Sequence, residues 1–147
     1  DAKQGWYLRI DTSGKATGVC RPTYNGSSAL VSSTAALPVA TWSHLALVMD
    51  RDEDTLKLYV NGALQDSVAL DPHDMSDLAS TLSVRAGARS QTADWFFDGL
   101  LDECRLANTV RGAGWILTSY NNQEDPGSFL VLGREEFEPR GSMILLR

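Results

Sequence analysis

The acidic residues are the first place in this sequence to look for chemistry. Asp50, Asp52 and Asp54 fall at alternate positions in DRDEDT, the spacing that opens a calcium loop, where alternate carboxylates converge on one ion. An EF-hand then needs glycine at the sixth position and glutamate at the twelfth. Thr55 and Asn61 stand there instead. That motif fails, and the three aspartates read as a solvated acidic connection between two strands. Glycoside hydrolysis needs an acid and a nucleophile flanking the sugar bond, for instance as Glu-x-Asp-x-Glu along one strand face. Asp102 and Glu103 are adjacent, hence on opposite faces of an extended chain, and no strand carries the alternate spacing. His44 lies within a nearly all-apolar run and His73 within a polar loop. Their spacing builds no Ser-His-Asp arrangement, so His44 reads as a core or interface histidine. Trp6, Tyr7, Tyr24 and Trp95 fall near strand ends or in loops, where aromatic faces stack on sugars or anchor protein contacts. Trp6 and Trp95 are the two that qualify as ligand contacts, against the alternative that they fill the core. Trp42 and Trp115 are assigned to the core, from a strand start and a helix face.

The elements that must position these residues are mostly strands. Ser43 to Met49 is apolar at nearly every position, as in a strand buried on both faces. Thr55 to Val60 alternates, with Leu56, Leu58 and Val60 on one face. Asn61-Gly62 follows, a pair suited to a type I′ turn, and Ala63 to Leu70 returns. The stretch predicts a three-stranded antiparallel meander. Before it, Gly5–Ile10 and Lys15–Arg21 predict a hairpin closed by the turn DTSG, and Ala29–Ser32 a short strand. After it come a polar connection at 71–77 with room for one helical turn, a short strand at 82–86, and a polar loop at 87–93. Trp95–Leu106 predicts a further strand, with Gly99 marking a bulge or a close backbone approach. Arg111–Tyr120 predicts a helix whose Trp115, Ile116, Ser119 and Tyr120 share a face. Ser128–Gly133 predicts a last strand, and a tail ends in the apolar run Met143–Leu146. Short strands at close spacing with almost no helix predict an all-β antiparallel sandwich of jelly-roll type.

The 147 residues fit one domain able to bury a core without staples. A net charge of −6 argues against a nucleic-acid partner, and no run is long and apolar enough to be a membrane-spanning segment. Cys20 and Cys104 either pair across a long loop, as an extracellular protein permits, or are two buried thiols.

Three segments carry a resemblance to a known family. They are WSHLALVMD (42–50) with LKLYVNG (56–62), FDGLLDECRLAN (97–108), and WILTSYNNQEDPGSFLVLG (115–133). Together the chain resembles the laminin-G-like, concanavalin A-like jelly-roll modules of prokaryotic surface proteins, with the second segment as the closing strand. The resemblance implies a domain over 1–136 and a tail over 137–147. It implies a non-catalytic adhesion or recognition module, extracellular or at the cell surface, whose partner is a glycan or a surface protein. Two alternatives are a structural subunit that self-associates into a filament, sheath or layer, and a carbohydrate-binding accessory domain of a secreted hydrolase. It also implies a structural calcium ion held on the closing strand, with Asp102, flanked by Asp98 across Gly99, as the matching position. Finally, the family places two or more strands ahead of the segment that begins here near Trp6. Their absence leads to the expectation of a fragment, or of strands donated by a neighbouring subunit, with Met143–Leu146 as a donor.

Overall fold

The structure is a computed structural model and describes residues 5–21, 28–71, 83–89, 96–129 and 133. Six strands form in chain order: β1 (Gly5–Ile10), β2 (Ala16–Arg21), β3 (Ala29–Ser32), β4 (Leu45–Asp50), β5 (Thr55–Val60) and β6 (Ala63–Ala69). They make two antiparallel three-stranded sheets, β1-β2-β3 and β4-β5-β6.

Local chemistry fixes both hairpins. In the DTSG turn, Asp11 Oδ1 accepts hydrogen bonds from the Ser13 N–H (2.8 Å), the Ser13 hydroxyl (2.6 Å) and the Lys15 N–H (3.1 Å). Bonds from Ser13 and Lys15 hold the Asp11 carboxyl below the usual aspartate value. Between β5 and β6, Asn61 and Gly62 take φ of 50° and 76°, as a type I′ turn demands. Asp50 caps the β4–β5 connection, its Oδ1 accepting from the N–H groups of Asp52 and Glu53, both at 3.1 Å. The carboxylate of Asp50 therefore shapes the turn, in which Asp54 takes a positive φ of 49°.

The sheets pack face to face. Ala16, Cys20, Ala29 and Val31 of the first meet Leu56, Leu58 and Leu70 of the second, all buried. Gly18 lets the layers approach: a Cβ there would lie 2.3 Å from Leu47 Cδ1. One side of the sandwich is closed by side chains from β6. Asp66 Oδ2 accepts from the Ser32 N–H (3.0 Å), and the Thr34 hydroxyl donates to Gln65 Oε1 (2.8 Å). Among the described residues, β1 and β4 remain open edges. β4 is accordingly half-buried along Leu45 to Met49 rather than buried on both faces.

A helix, α1 (Ala113–Glu124), and a one-turn α2 (Pro126–Phe129) follow. The α1 helix starts two residues and ends four residues later than predicted, and it buries Ile116. Four expectations are corrected. Residues 83–86 and 96–106 form no strand. Residues 128 and 129, where a strand was expected to begin, belong to the helical turn α2. Trp42 and Trp115 are 64% and 45% exposed rather than in the core. No disulfide forms: Cys20 is buried, its thiol 3.6 Å from Met49 Sδ, and Cys104 is exposed. The turn at Asn25-Gly26, the helical turn after Asp71 and the tail with Met143–Leu146 lie outside the described residues.

Candidate functional site

The residues selected from sequence lie on different elements. Trp6 sits on β1, paired with Cys20. Paired residues share a face, so Trp6 continues the core-facing row of Leu8 and Ile10. On the edge strand β1 it stays 43% exposed. It is an uncovered core position as much as a platform for a ligand. Trp95 lies outside the described residues.

Asp98 and Asp102 fall in an exposed segment, 96–112, that has no sheet partner. Asp102 Oδ1 accepts from the Glu103 N–H at 2.8 Å, and no group of three His, Cys, Asp or Glu among the described residues could hold a metal ion. One carboxylate already bonded to its own backbone is too few ligands for calcium, which takes six to eight oxygens. The described residues do not fit the implied ion. Calcium is accordingly expected to leave the melting temperature unchanged, in the wild type and in Asp102→Asn alike. A calcium-dependent rise abolished by that substitution would restore the site.

Gly99 marks a close approach, as its sequence context predicts, but to a ring rather than a strand: a Cβ would stand 2.7 Å from the Phe97 ring. The Phe97 N–H donates to the Gly87 carbonyl at 2.9 Å. Around this anchor Phe96, Leu100, Leu101 and Leu106 are exposed, the first at 73%.

What does converge is the corner between this segment, the start of β4 and α1. The His44 N–H donates to Asn61 Oδ1 (2.9 Å), and the Asn61 N–H returns to the His44 carbonyl (2.8 Å). One asparagine thus fixes both the type I′ turn and the strand start beside it. The His44 ring lies 6.2 Å from the Tyr120 ring, tilted by 53°. Gly62 brings the turn under α1, where a Cβ would stand 2.8 Å from Leu117 Cδ1 and 3.2 Å from Leu117 Cα. From the segment, Arg105 pairs with Glu103 and reaches Ser119 Oγ at 3.5 Å, while Gln123 donates to Glu103 Oε2 at 2.8 Å. Both carboxylates of the Asp102-Glu103 pair are therefore occupied by protein donors. Arg105, Trp115, Thr118, Ser119 and Asn122 line a shallow depression of about 220 Å³, and the Arg111 guanidinium lies 4.8 Å from the Trp115 ring centre. Sequence reading missed this corner. The one visible signal was Arg111 four residues ahead of Trp115, a spacing at which cation and ring meet on a helix.

No curated protein matches the sequence. Among solved structures the chain is similar to an S-layer domain-containing protein from Clostridium thermocellum, at 22% identity and a TM-score of 0.47, over 80% of this chain. It spans 57% of that structure's length. A family model described as the concanavalin A-like lectin/glucanases superfamily matches residues 1–117, a span that takes in both sheets, the 96–112 segment and the start of α1. With the two packed antiparallel sheets, that match shows that the chain belongs to the Laminin_G_3 family of concanavalin A-like domains.

Proposed function

We propose that this chain is a non-catalytic recognition module of the cell surface or the extracellular space, binding a surface protein or a glycan. The observation that carries the reading is the exposed apolar surface of the 96–112 segment, with Phe96, Leu100, Leu101 and Leu106 outward. Several large apolar residues exposed on one short segment are a feature of interaction sites. They favour a protein partner over a sugar, whose hydroxyls ask for polar neighbours around a ring. The non-catalytic part rests on the carboxylates: Asp102 is bonded to backbone and Glu103 to Arg105 and Gln123. Neither is poised as acid or nucleophile. Among the described residues no helix is long and apolar enough to cross a membrane.

A second reading, self-association into a surface assembly, is favoured by a different observation, the open edges of β1 and β4. Unpaired edges are templates for a further strand from another copy. One experiment separates the two. Light scattering and negative-stain imaging over a concentration series, followed by binding to immobilised glycans and candidate surface proteins, should give a monomer with saturable binding under the first reading. Growth into filaments or sheets would establish the second. A monomer that binds neither class of ligand would sink both.

A further inference from the structure

The corner that docks α1 contains a titratable group with an unusual setting. Nδ1 of His44 is buried and, among the described residues, has no hydrogen-bond partner. The backbone of His44 is held to Asn61, which fixes where the imidazole is attached at the start of β4. The groups that face it are few. From α1 comes the Tyr120 ring, whose hydroxyl is bonded to Glu124. From the 96–112 segment comes the positive charge of Arg105, partly offset by Glu103. From the β5–β6 turn comes the uncharged Asn61. No carboxylate on any of these elements is bonded to the ring.

We propose that His44 is a pH-sensitive latch: neutral, it holds α1 and the Arg105 segment against the β4–β5–β6 sheet, and protonated, it releases them. A proton on Nδ1 creates a buried donor with nothing to receive it, which costs the desolvation of a charged group. It also sets a cation near the Arg105 guanidinium. The docked elements can answer by moving away and admitting water, while the backbone of the strand start stays paired with Asn61. Release would uncover Ile116, the one α1 residue that is fully buried, and the sheet beneath it, so that acid changes which apolar surface the module presents.

The direction of titration agrees. Burial, with a smaller push from Arg105, holds the His44 pKa below its ordinary value of 6.5. The neutral form is favoured in the docked state. The contribution of His44 to docking is thus fully present above about pH 6.5 and is lost progressively as the pH falls below it, until the docked imidazole itself is charged.

The test uses the intact chain between pH 8 and pH 5, with amide exchange over residues 113–124 as the readout and the His44 ring protons followed by NMR. Protection of α1 is expected to fall from pH 8 to pH 5, after correction for intrinsic exchange. His44→Phe should keep α1 protected at both pH values, and His73→Gln should behave as wild type. Unchanged protection in the wild type across this range would overturn the latch, as would a loss that persists in His44→Phe. Should His44→Phe fold poorly, His44→Gln, uncharged and able to hydrogen-bond, must show the same flat profile for the proposal to stand.

Discussion

Leu58→Ala is expected to lower the free energy of unfolding by about 3 kcal/mol, a fall of roughly 10 °C in melting temperature for a chain of this size. Leu58 is fully buried on β5, the central strand of its sheet, and pairs with Leu47 on one side and Asp66 on the other. Its side chain points into the layer between the sheets, toward a row in which the first sheet supplies small residues: Ala16, Cys20, Ala29 and Val31. Removing three carbons there leaves a cavity that neighbours of that size cannot fill. The flanking backbones are held by ladders on both sides, so collapse is limited and the cost is that of a buried deletion rather than an exposed one. Leu64→Ala provides the contrast. Leu64 belongs to β6 of the same sheet but is 53% exposed, and its loss should cost about 0.5 kcal/mol. Denaturant unfolding of the two variants measures both. Equal, small effects would mean that the two sheets do not enclose a shared core.

The same contrast explains how much of the fold was legible in the sequence. The first six strands were read to within two residues because their evidence is local. The alternation of β5, the Asn61-Gly62 turn and the Asp11 turn each dictate backbone geometry within four or five residues. Their registers then follow from the turns. The segment 96–106 was misread for the opposite reason. WFFDGLLDECRL has the composition of a strand, but a strand exists only through a partner, and no described strand lies beside this one. Its backbone instead follows the bond from Phe97 to Gly87, the ring over Gly99, and a positive φ of 48° at Glu103. Trp115 was assigned to the core from helical spacing alone. The periodicity grouped it with Ile116, Ser119 and Tyr120, but Ile116 is buried and Trp115 exposed, because which part of the helix meets the sheet depends on where Gly62 admits it. Of the ligand and metal residues chosen from sequence, Trp6 lies on β1 and the two aspartates in the 96–112 segment. The corner of His44, Asn61, Arg105 and Tyr120 unites residues up to 76 positions apart in the chain, a distance over which periodicity carries no information.

That corner makes the glycine of the type I′ turn more than a turn residue, and Gly62→Ala is expected to cost about 2 kcal/mol. Two independent terms add. At φ of 76° an alanine carries the left-handed penalty, about 1 kcal/mol. Its methyl also meets Leu117 Cδ1 at 2.8 Å and, more stubbornly, Leu117 Cα at 3.2 Å and Tyr120 Cδ1 at 3.2 Å. A leucine tip can rotate away, whereas a helix backbone moves only as a whole, so the second term is paid by displacing α1. The two terms separate in a double-mutant cycle with Leu117→Ala. Deleting the Leu117 tip should recover part of the steric cost and none of the conformational cost, leaving Gly62→Ala destabilising in either background. Amide exchange supplies the spatial readout: loss of protection should concentrate at Ile116 to Tyr120 rather than in β5 and β6, whose ladder does not depend on the helix. If Gly62→Ala costs only the conformational term and leaves α1 protected, the helix does not rest on this turn, and neither the docked corner nor a histidine latch within it can be maintained.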